Sequence, residues 1–291
     1  MPTKTILMCP PTHFEVSYEI NAWMHTDNPV DASLAASQWH ALHETYIDLG
    51  YEVELIEPVP GLPDMVFTAN GGLVIDGKVA LPRFLHPQRQ PETPEFEAWL
   101  TEQGFETMMP AHDFEGEGDC LCANGTIFGG YGFRSDQRAH RELEEFFGRP
   151  VVSLRLVDPR FYHLDTAMCP LTDDVLMYYR GAFDEAGRDA LRSHFSVVIE
   201  ADEADAAGFG LNAVSDGETV VLSSAARGLA AALPGYGFRA MGLDMSEFRK
   251  SGGAVKCCSL DLHGSVPSRT AAPSQGRRAD RRPTGIIAGT R

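Results

Sequence analysis

Short apolar runs alternate along the chain with longer amphipathic ones, in an order that recurs. Four turn dipeptides, Asp76-Gly77, Asn124-Gly125, Asp173-Asp174 and Asp216-Gly217, each lie between two short apolar runs. The first is flanked by Gly72-Leu-Val-Ile75 and Lys78-Val-Ala-Leu81. Asn-Gly and Asp-Gly accept the positive φ angles of tight hairpin turns, so three of the four mark hairpins. Between them lie stretches of helical period. Asp31–Gly50 places Leu34, Leu42, Tyr46 and Leu49 on one face, Thr93–Gln103 stops at Gly104, and Asp136–Phe147 stops at Gly148. Asp184–Phe195 follows the third hairpin, and Thr93-Pro94 predicts an N-cap with proline at the first helical position. An extended run comes after each helix: Tyr51–Glu57, Phe105–Met109, Val151–Val157 and Ser196–Glu200.

The predicted unit is therefore hairpin, helix, strand, with turn spacings of 48, 49 and 43 residues. A fifth unit is closed jointly by Thr5–Cys9 and Ser259–Leu262. Recurring units bury faces that no unit could bury alone. The fold class predicted is α/β, as a five-bladed propeller with pseudo-fivefold symmetry. An ordinary α/β sheet is the alternative, and it requires fewer hairpins and more βαβ crossovers.

Charge divides the chain in two. Lys and Arg number 24 against 41 Asp and Glu, a formal net of −17. Residues 264–291 hold six arginines and one acid, which leaves residues 1–263 at −22. That excess of acid lacks the basic footprint of a nucleic-acid binder. The tail is rich in Ser, Pro, Ala and Gly without hydrophobic period, so a disordered extension is expected over 264–291, after one domain over 1–263. No apolar run approaches the roughly 18 residues of a membrane span, and no signal peptide is evident. The expected compartment is the reducing cytoplasm, where six cysteines are thiols rather than a disulfide framework.

Polar residues interrupt the repeat just before the hairpins: Asn70, Glu115, His163 and Asn212. One such residue would mean little; four at homologous places imply side chains that converge. Asp64 in Leu62-Pro-Asp-Met-Val-Phe67 reads equally as a cap. The loop Asp113-Phe-Glu115-Gly-Glu117-Gly-Asp119 reads as solvated or cation-binding. His163 and Asp165 share a face at i, i+2. Near the last strand, Lys250-Ser-Gly-Gly253-Ala-Val-Lys256-Cys257-Cys258-Ser259 sets a thiol beside a lysine placed to lower its pKa. Cys120-x-Cys122 with His112 and Asp119 lacks the second cysteine pair of a zinc site. Gly129-Gly-Tyr-Gly132 lacks nucleotide-binding spacing. Neither a metal nor a cofactor is expected.

Taken together, Pro63-Asp64-x-Val-Phe67-Thr68, the acidic glycine loop at 115–119, His163-Leu-Asp165-Thr166 and Gly252-Gly…Cys257-x-Ser259 resemble the guanidino-group modifying enzymes. These are the arginine deiminases, dimethylarginine dimethylaminohydrolases, succinylarginine dihydrolases and amidinotransferases, and the resemblance spans residues 4–262. It implies the five-bladed ββαβ propeller called the pentein fold. Met8-Cys-Pro-Pro-x-x-Phe14…Asn21-x-Trp-Met24 with Phe67-Thr-Ala-Asn70 is similar to the arginine dihydrolases, which convert arginine to ornithine, CO2 and two ammonia. By the resemblance, deiminases and dimethylaminohydrolases have aspartate at the position matching Asn70. An amide donates as well as accepts, so it can hold a cationic guanidinium and then a neutral ureido carbonyl.

By this resemblance Cys257 is the nucleophile, within Cys-x-Ser, and His163 is the acid and base. Glu115, Asn70, Asn21 and Asp165 orient the planar nitrogens, while Asp64 and Phe67 belong to the substrate loop. Arg83 and Arg134 are candidates to clamp the substrate α-carboxylate, since arginine matches its geometry. The acidic loop is one residue longer than the deiminase Glu-Gly-Gly-Asp. Glu115 or Glu117 is then the carboxylate of the site, and the Phe-Glu-Gly beginning favours Glu115. Methylated arginine as substrate, a deiminase that stops at citrulline, and a non-catalytic binding or assembly module are the alternatives. The partner expected is a small molecule; a homo-oligomer is left open.

Overall fold

The computed structural model describes residues 4–262, in which short strands form five three-stranded sheets. Strand β1 (Thr5–Met8) runs through helix α1 (Ala32–Asp48) to β2 (Glu52–Leu55), which lies parallel to β1. The next unit is β3 (Leu73–Ile75), β4 (Lys78–Ala80), α2 (Thr93–Glu102) and β5 (Glu106–Met108). It is followed by β6 (Cys120–Ala123), β7 (Thr126–Tyr131), α3 (Gln137–Phe147) and β8 (Val151–Arg155). Then come β9 (Met168–Pro170), β10 (Val175–Tyr178), α4 (Glu185–His194) and β11 (Val197–Glu200). After the short α5 (Glu203–Ala207), the order recurs as β12 (Val214–Ser215), β13 (Thr219–Ser223), α6 (Arg227–Ala232) and β14 (Arg239–Leu243). Helix α7 (Ser246–Arg249) leads to β15 (Leu260–Asp261). In each of these sheets one neighbour of the middle strand is antiparallel, and the strand after the helix joins it parallel. β15 pairs with β1, Ile6 opposite Asp261 and Leu7 opposite Leu260, so the two ends of the described chain complete one sheet.

Local chemistry explains the turns. Asp76 and Asn124 sit at φ 51° and 47°, each before a glycine that is also left-handed. Two positive angles in succession give the twist that antiparallel strands require. The other two turns use side chains instead. Thr172 Oγ1 accepts from the amides of Asp174 and Val175, and Asp216 Oδ1 accepts from those of Glu218 and Thr219. Helices α1, α3 and α4 begin at Asp31, Asp136 and Asp184, whose carboxylates accept from the first-turn amides. Thr93 is not the expected cap: it is itself helical, after a 3-10 turn at Gln90–Glu92, and its hydroxyl donates to Pro82 O.

Helix α1 packs Ala35, Trp39, Leu42 and Tyr46 into a cluster with Ile6, Met8, Phe67, Phe248 and Val255. Each large apolar side chain so buried contributes about 1.5–3 kcal/mol. The expected face was set wrongly at one end, because Leu34 is exposed and the buried turn runs through Gln38. Gln38 is tolerated inside because its amide bonds Asp244, Ser246 and the Glu247 amide. No helix among the described residues is long and apolar enough to cross a membrane. The extension expected over 264–291 lies outside the described residues.

Candidate active site

The residue that precedes the first strand of each hairpin is where the polar groups gather. 3-10 turns at Thr68–Gly71, Gly116–Gly118 and Leu164–Thr166 lead into β3, β6 and β9, and they carry Asn70, the end of Glu115, and His163 with Asp165. Asn212 leads into β12, and Cys257 lies in the turn before β15. All six side chains are buried. Asn70, His163 and Cys257 border a small cavity with Asn21, Asp64 and Phe67 among others, and Glu115, Asp165 and Asn212 stand behind them.

Cys257 Sγ donates to Asp165 Oδ2 at 3.1 Å and accepts from Asn212 Nδ2 at 3.0 Å. Burial, then the Asp165 carboxylate, hold the thiol well above its ordinary pKa. Burial also pushes Asp165 up, to about 7, against the opposing pull of its bond to Cys257 and of Lys256. The second carboxyl oxygen, Oδ1, is buried and accepts no hydrogen bond among the described residues.

Glu115 is the opposite case. Burial would raise it, but Arg134 and His163 hold it well below the carboxylate range. Its Oε2 accepts from Arg134 Nη1 at 2.9 Å and meets His163 Nε2 at 2.7 Å. An ionised carboxylate only accepts, so Nε2 carries the ring proton. Two buried carboxyl groups driven in opposite directions mark a site with separate proton roles. Asn70 spans the neighbouring wall, its Nδ2 donating to Glu115 O at 2.9 Å and its Oδ1 accepting from Arg89 Nη1 at 2.8 Å. Arg89 is clamped by Glu92 through Nε and Nη2, at 2.9 and 2.8 Å.

Asp64 Oδ2 accepts from Tyr18 Oη and Oδ1 from Ser251 Oγ. Asn21 donates to Ser251 O and accepts the amides of Trp23 and Met24. These bonds tie the 18–24 segment to the glycine turn before Cys257. Gly252, at φ +83°, lies so close that a Cβ would stand 2.8 Å from Tyr162 Oη and 3.0 Å from Asn21. Phe67 closes the wall edge-on to Phe14 and Phe248.

Two expectations change, for Arg83 and Lys256. Arg83 lies outside the cavity: its backbone bridges Phe114, which turns Phe114 inward and the Arg83 side chain outward, where Nε donates to Pro110 O. Arg134 does border the cavity, stacked 4.6 Å over Tyr162, with Nη2 on Ile20 O. Lys256 does not lower the thiol, because its ammonium is paired with Glu117 and donates to Ser259 O. That pair also separates the two acids of the loop. Glu115 faces His163, whereas Glu117 borders a different cavity of about 370 Å³ with Lys4, Lys256 and Asp261.

Arg89 and Asn212 are the residues that sequence reasoning left without a role. Arg89 sits in His86-Pro-Gln-Arg-Gln-Pro-Glu92, which reads as a surface loop. Its only local sign is the i, i+3 spacing to Glu92. Arg89 is buried against Asp64 and Glu92, and Arg134 against Glu115.

Known proteins resemble this arrangement closely. The family model for eukaryotic N,N dimethylarginine dimethylhydrolase matches residues 10–263. The N(G),N(G)-dimethylarginine dimethylaminohydrolase of Mycobacterium tuberculosis is 49% identical over 261 residues, covering 90% of this chain and 86% of that one. The bifunctional arginine dihydrolase/ornithine cyclodeaminase ArgZ of Synechocystis is 40% identical over 278 residues, 90% of this chain but 39% of its own length. The crystal structure of the N-terminal domain of ArgZ, a cysteine-to-serine variant bound to substrate, matches with a TM-score of 0.86 at 39% identity, over 90% of this chain and 99% of that one.

Proposed function

The chain belongs to the N,N dimethylarginine dimethylhydrolase family, and we propose that it hydrolyses the guanidino group of free arginine to ornithine, CO2 and two ammonia. Buried Asp165 Oδ1, which accepts no hydrogen bond among the described residues and belongs to the carboxyl group bonded to the Cys257 sulfur, is the observation that carries this reading. A guanidinium supplies an N–H donor and an electrophilic carbon in one planar cation. Its charge also offsets the burial that keeps the thiol protonated.

In this mechanism the Cys257 thiol passes its proton to the free ring nitrogen of His163, and the sulfur attacks the guanidinium carbon, forming a carbon–sulfur bond. The bond to one terminal nitrogen breaks, and ammonia leaves with a proton from His163, which Glu115 orients. Water then gives its proton to His163, adds to the same carbon and expels the sulfur, leaving a ureido group. A second round on that group releases the second ammonia and a carbamate, which breaks down to CO2 and ornithine. Asn70 serves both rounds because its amide offers a donor and an acceptor. Asn21 and Asp64 hold the substrate loop, Phe67 packs along the substrate, and Arg134 meets the α-carboxylate.

The five sheets are read as blades of a five-bladed ββαβ propeller, a pentein of pseudo-fivefold symmetry, occupying residues 1–263 with a basic appendage at 264–291. Six free thiols suit a reducing cytoplasm. A second substrate, dimethylarginine, is favoured by the 49% identity to the mycobacterial enzyme. Incubation with labelled arginine and with dimethylarginine separates the readings. Ornithine from arginine supports the proposal; citrulline alone reduces it to one hydrolytic step. Dimethylamine release without action on arginine replaces it.

A further inference from the structure

We propose that the side-chain amide of Asn212 is the donor that stabilises the anionic form of the Cys257 sulfur. The inference rests on the reading of Cys257 as nucleophile and adds a group to it. Asn212 is fully buried, in the lead-in to β12, 45 residues before the cysteine. Its Oδ1 accepts from the amides of Ala254 at 3.0 Å and Cys257 at 3.1 Å. Its Nδ2 donates to Cys257 Sγ at 3.0 Å and to Asp165 O at 3.2 Å. The backbone carbonyl of Asn212 takes the Lys256 amide as well, at 3.3 Å.

Those bonds use the whole hydrogen-bonding capacity of the side chain and fix which way the amide faces. The two backbone N–H groups cannot accept, so oxygen must face them and nitrogen must face the sulfur. A flipped amide would set its oxygen against the sulfur and its N–H groups against two donors. The nitrogen is thus locked on the reacting atom before any substrate arrives. A donor to an anion is roughly twice as strong as one to a neutral acceptor. The contact therefore favours thiolate over thiol, and does so again each time sulfur is expelled from the bound carbon.

Of the other groups facing the sulfur, the Ala254 backbone amide also favours the anion, but no other side chain does. Burial and the Asp165 carboxylate both oppose the anion, with Cys258 and Tyr162 as further acidic neighbours. His163 borders the same cavity but is engaged through Nε2 by Glu115. Lys256, the adjacent cation, is turned to Glu117. Among the described residues, Asn212 is the side-chain N–H donor to Sγ.

The test is alkylation of Cys257 by iodoacetamide across a pH series, resolved by mass spectrometry, in wild type, Asn212→Asp and Asn212→Ala. Asn212→Asp keeps an acceptor for both backbone amides and loses only the donor; Asn212→Ala removes the donor without adding charge. Both are expected to react about tenfold or more slowly at neutral pH, with midpoints raised by about one pH unit. The kcat for arginine should fall in proportion, with little change in KM and recovery at higher pH. A folded variant alkylated at the wild-type rate overturns the proposal, even if turnover falls. Slowing in Asn212→Asp alone assigns the effect to the added charge and also overturns it. Should neither variant fold, isotope-edited NMR of the wild-type Asn212 amide decides: its resonance must move with the Cys257 midpoint, and a static resonance refutes the contact. Activity that survives in Cys257→Ser would defeat the nucleophile reading separately, since the titration does not depend on turnover.

Discussion

Glu115 Oε2 meets His163 Nε2 at 2.7 Å across 48 residues of sequence, and the same oxygen takes Arg134 Nη1 at 2.9 Å. One oxygen thus orients the imidazole and neutralises a buried guanidinium. Glu115→Gln removes the charge and brings a second amide group towards the Leu85 amide, which now donates to Oε1 at 3.3 Å. We expect kcat to fall by about 100-fold or more, and stability to fall by on the order of 3 kcal/mol because Arg134 loses its buried partner. Ammonia release and a urea melt measure the two effects.

Asn70→Asp should change the product. The carboxylate keeps its bond to Arg89 but presents an oxygen to Glu115 O, where Nδ2 now donates. It also loses the donor needed for a neutral ureido group. Citrulline should accumulate in place of ornithine when arginine is consumed. An unchanged ratio of the two in the variant would remove the amide from the second step.

Gly118→Ala adds a single methyl outside the cavity. The new Cβ would stand 2.1 Å from Asn70 Nδ2 and 3.3 Å from His163 Nδ1. Asn70 would have to move by about an ångström, a displacement that can cost on the order of 100-fold in rate. Since the backbone at Gly118 is not left-handed, the loss should appear in kcat/KM without a comparable loss of helical signal.

The two arginines once paired as candidates should behave differently. Arg83→Ala is expected to leave KM unchanged and stability within about 0.5 kcal/mol. Arg134→Ala opens the cavity wall and strands Glu115, so KM should rise sharply. Equal effects from the two substitutions would undo the distinction between them.

Stability should carry opposite pH signatures from the two acids. Asp165 is raised to about 7 in the fold, against about 3.9 unfolded. Its favourable contribution is therefore whole below about pH 4 and is lost as pH rises towards 7. Glu115 is depressed, so its contribution is present above about pH 4.3 and is lost only on further acidification. Asp165→Asn should gain on wild type between about pH 5 and pH 8. Melting temperatures measured at both ends check this, and a constant difference would exclude the shift.

What the sequence disclosed followed the range of each interaction. Asp76-Gly77 and Asn124-Gly125 were readable because the angles they need are a local property. The caps Asp31, Asp136 and Asp184 were readable for the same reason. The convergence of Asn70, Glu115, His163 and Asn212 showed as a repeat phase, although Asn212 acquired a role only from its bonds to residues 254–257. Arg89 was hidden because its partners Asn70 and Asp64 come from another loop. Lys256 misled because adjacency in sequence says nothing about where a long side chain turns, and Glu117 lies 139 residues away.

The pairing of β15 with β1 sets Cys257 three residues before the strand that closes the first sheet. Synthesis runs from the amino end, so this sulfur leaves the ribosome after Asn70, Glu115, His163 and Asn212. Until β15 finds β1, the cysteine lacks its donor, its acid and its cavity. The growing chain therefore carries a thiol of ordinary pKa, and the shifted, oriented one is made only when residues 254–257 reach Asn212 and Asp165.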